Sequence, residues 1–274
     1  GAVLAVGADV LQERAASRSG NAYGHGKLKG LRDRFRNART AYLYRLNGGG
    51  AKAANTYATA KYSGLRGNDL KIVIETSQLA TEEEMVYDVT TVFNNEKVER
   101  QTVKAAADLV DNEYVVFNRQ ATLELTAGTP LSGGTNGTAE NGQHETFLRK
   151  IEGYSFNTIG CLAEDETTKA MYAAFADRMR NDVGVKFQCV MHRYAADSES
   201  VISVENNSTP ELVYWTLGAQ AGCAVNASVA NKVYDGEYDV VTDYTQRQLE
   251  LAVKEGKFIL HRANRDVRVL MDIN

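Results

Sequence analysis

The sequence predicts an α/β domain, a largely parallel sheet with covering helices, into which a strand-rich α+β domain is inserted. Three observations lead there. Apolar strands alternate with amphipathic helices over the second half of the chain, the pattern of strand–helix–strand units. The stretch from residue 48 to 135 is instead rich in Thr, Ala, Asn and Gly and reads as short strands. Glycine clusters mark its two ends, Gly48-Gly-Gly50 and Leu131-Ser-Gly-Gly-Thr-Asn-Gly137. The expected division is therefore 1–47 and 136–274 for the two parts of the α/β domain and 48–135 for the inserted one.

Each element follows from local pattern. Gly1-Ala-Val-Leu-Ala-Val6 is apolar and reads as a strand, too short and without the basic flank of a signal peptide. Leu28, Leu31, Phe35 and Ala38 recur at helical spacing, which would bury one stripe and leave the arginines between them on the wet face. Thr40 to Leu46, with its Tyr and Leu content, reads as a strand that breaks into the first glycine cluster. In the insert, Thr56–Tyr62, Leu70–Glu75 and Met85–Phe93 read as strands. Asn94-Asn95 supplies a hairpin turn into Lys97–Arg100. Val103, Ala106, Ala107 and Val110 step as a short helix, and Tyr114–Phe117 and Thr122–Thr126 close the unit as strands.

Beyond residue 136 the strands are 155–162, 184–191, 201–204, 258–260 and 267–270. Between them, Phe147, Leu148 and Ile151 mark one helix, and Met171, Phe175 and Met179 another. Leu212–Val225 is apolar nearly all round, which implies a buried helix. Thr245-Gln-Arg-Gln248 is a capping box ahead of a further helix, and Gly256 stops that helix.

Bulk properties narrow the function. The 274 residues suit one large or two ordinary domains, and 43% hydrophobic against 24% charged side chains is a globular composition. No apolar run is long enough to span a bilayer, which argues against membrane insertion. The three cysteines, Cys161, Cys189 and Cys223, are odd in number and widely spaced, which points to reduced thiols. The formal net charge is −4, unevenly spread: seven basic residues (Lys27, Lys29, Arg32, Arg34, Arg36, Arg39, Arg45) face only Asp33 between positions 27 and 45. A basic element on an acidic body suits registration between copies of one protein, so Lys27, Lys29, Arg32, Arg34, Arg36 and Arg39 are the candidate inter-subunit contact. Direct nucleic-acid binding would call for interleaved aromatics or a known binding fold, and neither is present.

No motif supports catalysis. Gly48-Gly-Gly-Ala-Lys52 departs from a phosphate loop at Ala51 and Ala53, where glycine and a hydroxyl are required. Gly48, Gly49, Gly50, Gly133 and Gly134 read instead as hinge positions. Cys189-Val-Met-His192 has ligand-like spacing but no second pair to complete a metal site. His25, His144 and His261 stand alone, and no G-x-S-x-G nucleophile elbow occurs. No catalytic residue, metal or cofactor is expected.

Several strings resemble the tail sheath proteins of contractile bacteriophages, above all those of Gram-positive hosts and their prophages. They include Lys27-Leu-Lys-Gly-Leu-Arg32 leading into Ala41-Tyr-Leu-Tyr-Arg-Leu-Asn47, and Leu131-Ser-Gly-Gly-Thr-Asn-Gly137. Phe147-Leu-Arg-Lys-Ile-Glu-Gly-Tyr-Ser-Phe-Asn-Thr158, Arg178-Met-Arg-Asn-Asp-Val-Gly-Val-Lys-Phe-Gln188 and Ala219-Gln-Ala-Gly-Cys-Ala-Val-Asn226 follow in order, then Tyr234-Asp-Gly-Glu-Tyr238 and the closing Lys257–Asn274. The resemblance implies a sheath-type α/β domain carrying an outward, protruding insert. It implies a structural subunit that polymerises around the tail tube and contracts to drive the tube through the host envelope. Its implied partners are other sheath subunits, the tail tube protein, and the baseplate and tail terminator proteins, in a virion tail assembled in the host bacterial cytoplasm. Sheath subunits carry terminal arms and a further C-terminal domain, so this chain reads as a fragment that is monomeric or weakly associating alone. The competing reading is a virion or cell-surface binding module with the insert as its ligand-binding unit.

Overall fold

The computed structural model describes residues 24, 26–44, 46–47, 49–138, 141–224 and 226–273, with backbone only at 27 and 141. The expected strand at Gly1–Val6, His25, Arg45 and Gly48 lie outside the described residues. Contacts divide the chain into one unit over Arg45–Glu140 and a second built from the flanking segments.

The first unit is an all-β sandwich. One sheet has the antiparallel order β4-β3-β2-β6, formed by β2 (Leu70–Thr76), β3 (Tyr87–Phe93), β4 (Glu96–Val103) and β6 (Thr126–Pro130). The other pairs β1 (Ala58–Ala60) with β5 (Val115–Phe117), also antiparallel. Ile72, Ile74 and Val89 of the larger sheet share one buried core with Ala58, Val115 and Phe117 of the smaller. The β3–β4 hairpin turns on Asn94 and Asn95, both left-handed (φ 50° and 65°), as a two-residue hairpin loop requires.

The insert is therefore not α+β as its helical spacing suggested. Val103 ends strand β4, and only one 3-10 turn, Ala106–Asp108, follows. Gln101 is the reason: its amide nitrogen donates to the Val110 carbonyl (2.7 Å) and its amide oxygen accepts from the Val110 N–H (2.9 Å). Both backbone groups that would propagate a helix at Val110 are thus taken by a strand side chain. The strand expected at Thr122–Thr126 lies later, at β6, where Pro130 ends an edge strand and needs no N–H partner.

The second unit has a four-stranded parallel sheet, ordered β7-β8-β9-β10: Thr158–Cys161, Gln188–His192, Val201–Val204 and Lys257–Phe258. Period-two alternation assigns its faces. Ile159, Cys161, Cys189, Met191 and Val201 share a core with Leu148 of α2 (Asn141–Ile151) and Tyr172, Phe175 and Ala176 of α3 (Glu166–Arg178). Val190, Ile202 and Val204 pack with Leu212, Val213 and Trp215 of α4 (Leu212–Ala221). The parallel sheet is thus covered on both faces, as expected.

Helix α1 (Lys29–Phe35) lies against α4, and its packed face differs from the apolar stripe read in the sequence. Leu28, Leu31 and Phe35 are only half-buried, whereas Gly30 and Asp33 are buried. Glycines cause the difference. A Cβ on Gly30 would lie 2.4 Å from the Tyr214 ring, one on Gly218 2.2 Å from the Arg34 carbonyl oxygen, and one on Gly222 2.0 Å from that of Asn37. Backbone approaches backbone here, so the small-residue face sets the contact rather than the large apolar one.

The strand expected over Thr40–Leu46 does not form among the described residues. Ala41 makes a single bridge, residues 42–44 make no ladder, and Tyr42 and Tyr44 set their rings 5.0 Å from Tyr154 and 5.7 Å from Phe147. Aromatic packing holds that segment where a strand pair was expected. Strand β8 starts later than expected because the π-turn Met179–Val183 and left-handed Gly184 (φ +81°) extend the end of α3. Helix α5 (Gln246–Lys254) has the capping box: Thr245 accepts from the Gln248 N–H (3.3 Å) and Gln248 accepts from the Thr245 N–H (2.8 Å). Hairpin β11–β12 (Leu260–Ala263 and Asp266–Val269) holds the last strands among the described residues.

Candidate functional site

The basic segment is the first candidate, and its cations do not all lie on the wet face. Arg32 grips Glu237 with two charge-assisted hydrogen bonds, Nε and Nη2 each 2.6 Å from a carboxylate oxygen. Arg36 lies 3.8 Å from the same carboxylate and 3.6 Å from Asp33. Asp33 is fully buried and accepts from the Glu237 N–H at 2.8 Å. Burial pushes the Asp33 carboxyl above its ordinary value, opposed by the Glu237 N–H and Arg36. Arg32 holds the Glu237 carboxyl below the ordinary value. Burial lowers the Arg34 guanidinium to about 10, and its Nε has no hydrogen-bond partner among the described residues. Lys29 stands 5.7 Å over the ring of Tyr238.

Of the proposed contact residues, Arg36 and Arg39 are exposed, while Arg32 and Lys29 are engaged with the 234–238 turn. The Lys27 side chain is outside the description. Sequence reasoning missed Glu237 and Tyr234, which lie about two hundred residues from their partners; no periodic signal links them. A lone Glu in a Gly- and Tyr-rich turn was the only hint.

The glycine clusters form the second candidate, and their chains run side by side within the first unit. Ala51 N–H donates to the Thr135 hydroxyl (2.9 Å), Thr135 N–H to the Ala51 carbonyl (3.1 Å), and Gly137 N–H to the Asn47 carbonyl (3.1 Å). A Cβ on Gly50 would lie 1.8 Å from the Thr135 carbonyl oxygen, and one on Gly137 2.7 Å from the Gly49 nitrogen. Gly49 and Gly133 have open space around them, and Gly133 is left-handed (φ +82°). Gly134 is held by Asn68, which accepts from its N–H (2.8 Å) and donates to its carbonyl (2.9 Å). Gly137, not singled out as a hinge in the sequence, is therefore part of this crossing.

The third candidate is the carboxyl end of the parallel sheet, where open α/β folds commonly hold ligands. Three residues apart on β8, Cys189 and His192 leave opposite faces of the strand, so they do not converge. His192 is buried, with Nδ1 3.2 Å from Glu164 and Nε2 3.4 Å from the Asn207 carbonyl. The buried Lys169 ammonium lies 3.9 Å from Glu164 and 3.6 Å from Glu166. Asn206 donates to the carbonyls of Val241 and Leu260, each at 2.8 Å, and Asn207 to that of Asp239, also at 2.8 Å. These polar groups tie the 239–241 loop over the sheet edge. Burial pushes the Cys161 thiol up to about 11 and that of Cys189 well above its ordinary value, so both are protonated and unreactive near neutral pH. His144 is not isolated: its Nδ1 lies 3.0 Å from the Tyr172 hydroxyl, and burial lowers its pKa.

The architecture is thus an antiparallel sandwich inserted between the two parts of a unit built on a helix-covered parallel sheet. Comparison with known proteins agrees. Residues 47–136 match the family described as phage tail sheath protein beta-sandwich domain, and residues 137–274 match the phage tail sheath protein central domain. The chain belongs to the phage tail sheath family. Among curated proteins it is 34% identical over 278 aligned positions to the phage-like element PBSX protein XkdK, and 33% identical to the uncharacterized protein YqbK, both of Bacillus subtilis strain 168. Each match covers 89% of this chain and 59% of the relative, so the chain spans under two thirds of those proteins. Among solved structures, the sheath tail protein of Desulfitobacterium hafniense is 34% identical, with a TM-score of 0.85 over 93% of this chain and 64% of that one. The sheath tail protein of Listeria innocua is 31% identical, with a TM-score of 0.82 over 99% of this chain and 67% of that one.

Proposed function

We propose that the chain is part of a structural subunit of a contractile phage tail sheath, one that polymerises around the tail tube and contracts to drive it through the host envelope. The observation that carries this reading is the pairing of two unlike units in one chain, each matching its own sheath domain. Its partners are further sheath subunits, the tail tube protein, and the baseplate and tail terminator proteins. Its place is the virion tail, assembled in the bacterial cytoplasm, and it has no catalytic role. Helical sleeves need heterologous, non-closing contacts between unlike patches. Arg36 and Arg39 are the cations of the basic segment with exposure suited to such a contact. The crossing of residues 47–51 and 135–137, with the adjoining Gly133 and Gly134, serves as the hinge, and Gly49 and Gly133 are its freest positions. Electron microscopy of the full-length protein tests the reading: striated tubes are expected, and a protein that stays dispersed at high concentration would sink it.

A further inference from the structure

The chain's net negative charge resides in the sandwich. Residues 45–140 contain nine basic and thirteen acidic side chains, whereas the flanking segments contain twenty-two of each. The sandwich also has a groove of about 510 Å³. Val86 and Val103 are buried in its lining, Leu79 stands 70% exposed beside them, and Thr102, Asp108 and the Lys104–Glu84 ion pair (2.7 Å) supply its polar side. The adjoining turn is fixed by Thr81, whose N–H donates to the Glu84 carbonyl (2.9 Å) and whose hydroxyl accepts from the Glu84 N–H (3.1 Å). That turn presents Glu82 and Glu83 to solvent, and neither makes an ion pair among the described residues. Met85 beside them is 48% exposed. This is a groove of mixed polar and apolar lining beside an anionic turn.

The second unit carries its complement. Hairpin β11–β12 turns on Asn264 (φ 57°) and pairs with neither larger sheet. Arg268 is tied to Asp266 (2.8 Å) and to the Asn231 carbonyl (3.1 Å). Arg262 and Arg265 are exposed at the tip and make no ion pair among the described residues. An arginine offers an apolar stem for a groove such as that of Leu79, Val86 and Val103, and a planar fork for carboxylates at its rim.

We propose that the Arg262–Arg265 hairpin of one copy docks on the groove and acidic turn of the sandwich of a second copy. The proposal rests on the sheath reading. Charge complementarity selects a second copy as occupant, and the two surfaces are unlike, as a non-closing helical contact requires. Arg262 and Arg265 lay their stems on the groove, and their guanidinium groups face Glu82 and Glu83.

Reciprocal charge reversal tests it in the full-length protein, with tube formation followed by sedimentation and electron microscopy. One variant carries Glu82→Arg and Glu83→Arg, the other Arg262→Glu and Arg265→Glu. Each alone is expected to lose at least about tenfold of its pelletable polymer, because like charges then face each other. Mixing the two restores tubes, since each then finds an opposite partner, and so does combining all four changes in one chain. Unchanged melting of the dispersed variants separates lost assembly from lost folding. Wild-type levels of tubes from either single-surface variant would overturn the contact while leaving the sheath reading intact. Rescue by the combined chain but not by the mixture would also overturn it, by placing the contact within one copy. If the unaltered protein forms no tubes, the sheath reading fails instead.

Discussion

At the scale of single residues, Asp88 shows how a strand face rich in polar groups is stabilised. It lies buried on β3, accepts a hydrogen bond from the Thr102 hydroxyl at 2.6 Å, and pairs with Arg100. The Thr102 bond first, and Arg100 with it, hold the Asp88 carboxyl below its ordinary 3.8, against the opposing effect of burial. A carboxyl with a depressed folded pKa contributes stability that is complete above the unfolded value. That contribution is lost as pH falls through the folded value. Denaturation of the wild-type chain should therefore steepen below about pH 4, and Asp88→Asn should lower stability at neutral pH while flattening that acid limb. Urea melts at a series of pH values measure this. An Asp88→Asn variant whose acid limb matches the wild type would contradict the assignment. Buried Asp33 has the opposite sign, its pKa raised chiefly by desolvation, so the two carboxylates do not act together in acid.

At the scale of elements, the crossing of α1 and α4 is the informative case. Three glycines, at 30, 218 and 222, let these helices approach until a Cβ has no room. On an open helix, alanine in place of glycine would stabilise by roughly 1 kcal/mol. At Gly218 the added Cβ meets the Arg34 carbonyl, which is backbone and cannot rotate away. Gly218→Ala is therefore expected to destabilise by about 1–3 kcal/mol, the usual cost of overpacking. A lower thermal midpoint is the outcome to look for, and an unchanged or higher one would show that the crossing yields. The same crossing explains why the apolar stripe misled. Periodicity records which side chains are large, whereas this interface was built by removing them. The α5 helix is the contrasting case: Thr245, Gln248 and Gly256 were readable because a capping box and a left-handed stop act within a few residues.

For the molecule as a whole, the two units have separate cores. The sandwich buries Ile72 and Ile74 with Val115 and Phe117, while the parallel sheet has its own clusters on each face. The single tryptophan, Trp215, is fully buried in the second unit, its indole N–H donating to Asp235 at 2.7 Å. Its fluorescence thus reports on one unit only. Ile72→Ala, which removes a fully buried side chain, should cost the sandwich about 2–5 kcal/mol and shift an early far-ultraviolet circular dichroism transition. The midpoint followed by Trp215 should stay put. If both probes shift together, the units unfold as one cooperative block.

Much of this protein was legible in the sequence because the signals were local. The parallel sheet showed as alternating strands and helices, the β3–β4 hairpin as Asn94-Asn95, and the family as strings of residues in the right order. Where the sequence failed, a distant group had taken over a local preference. Gln101 captured both backbone groups of Val110 and turned an expected helix into a single turn. Glu237 drew Arg32 and Arg36 of a segment that looked free for partners. Thr135 and Gly137 closed against Ala51 and Asn47, so the two glycine clusters became one crossing. By itself the sequence determined the helix-covered parallel sheet, since period and capping act over a turn or a strand, but not the all-β class of the insert. Only the tertiary structure decided which charges remain available and which glycines touch, because those depend on groups brought together from far along the chain.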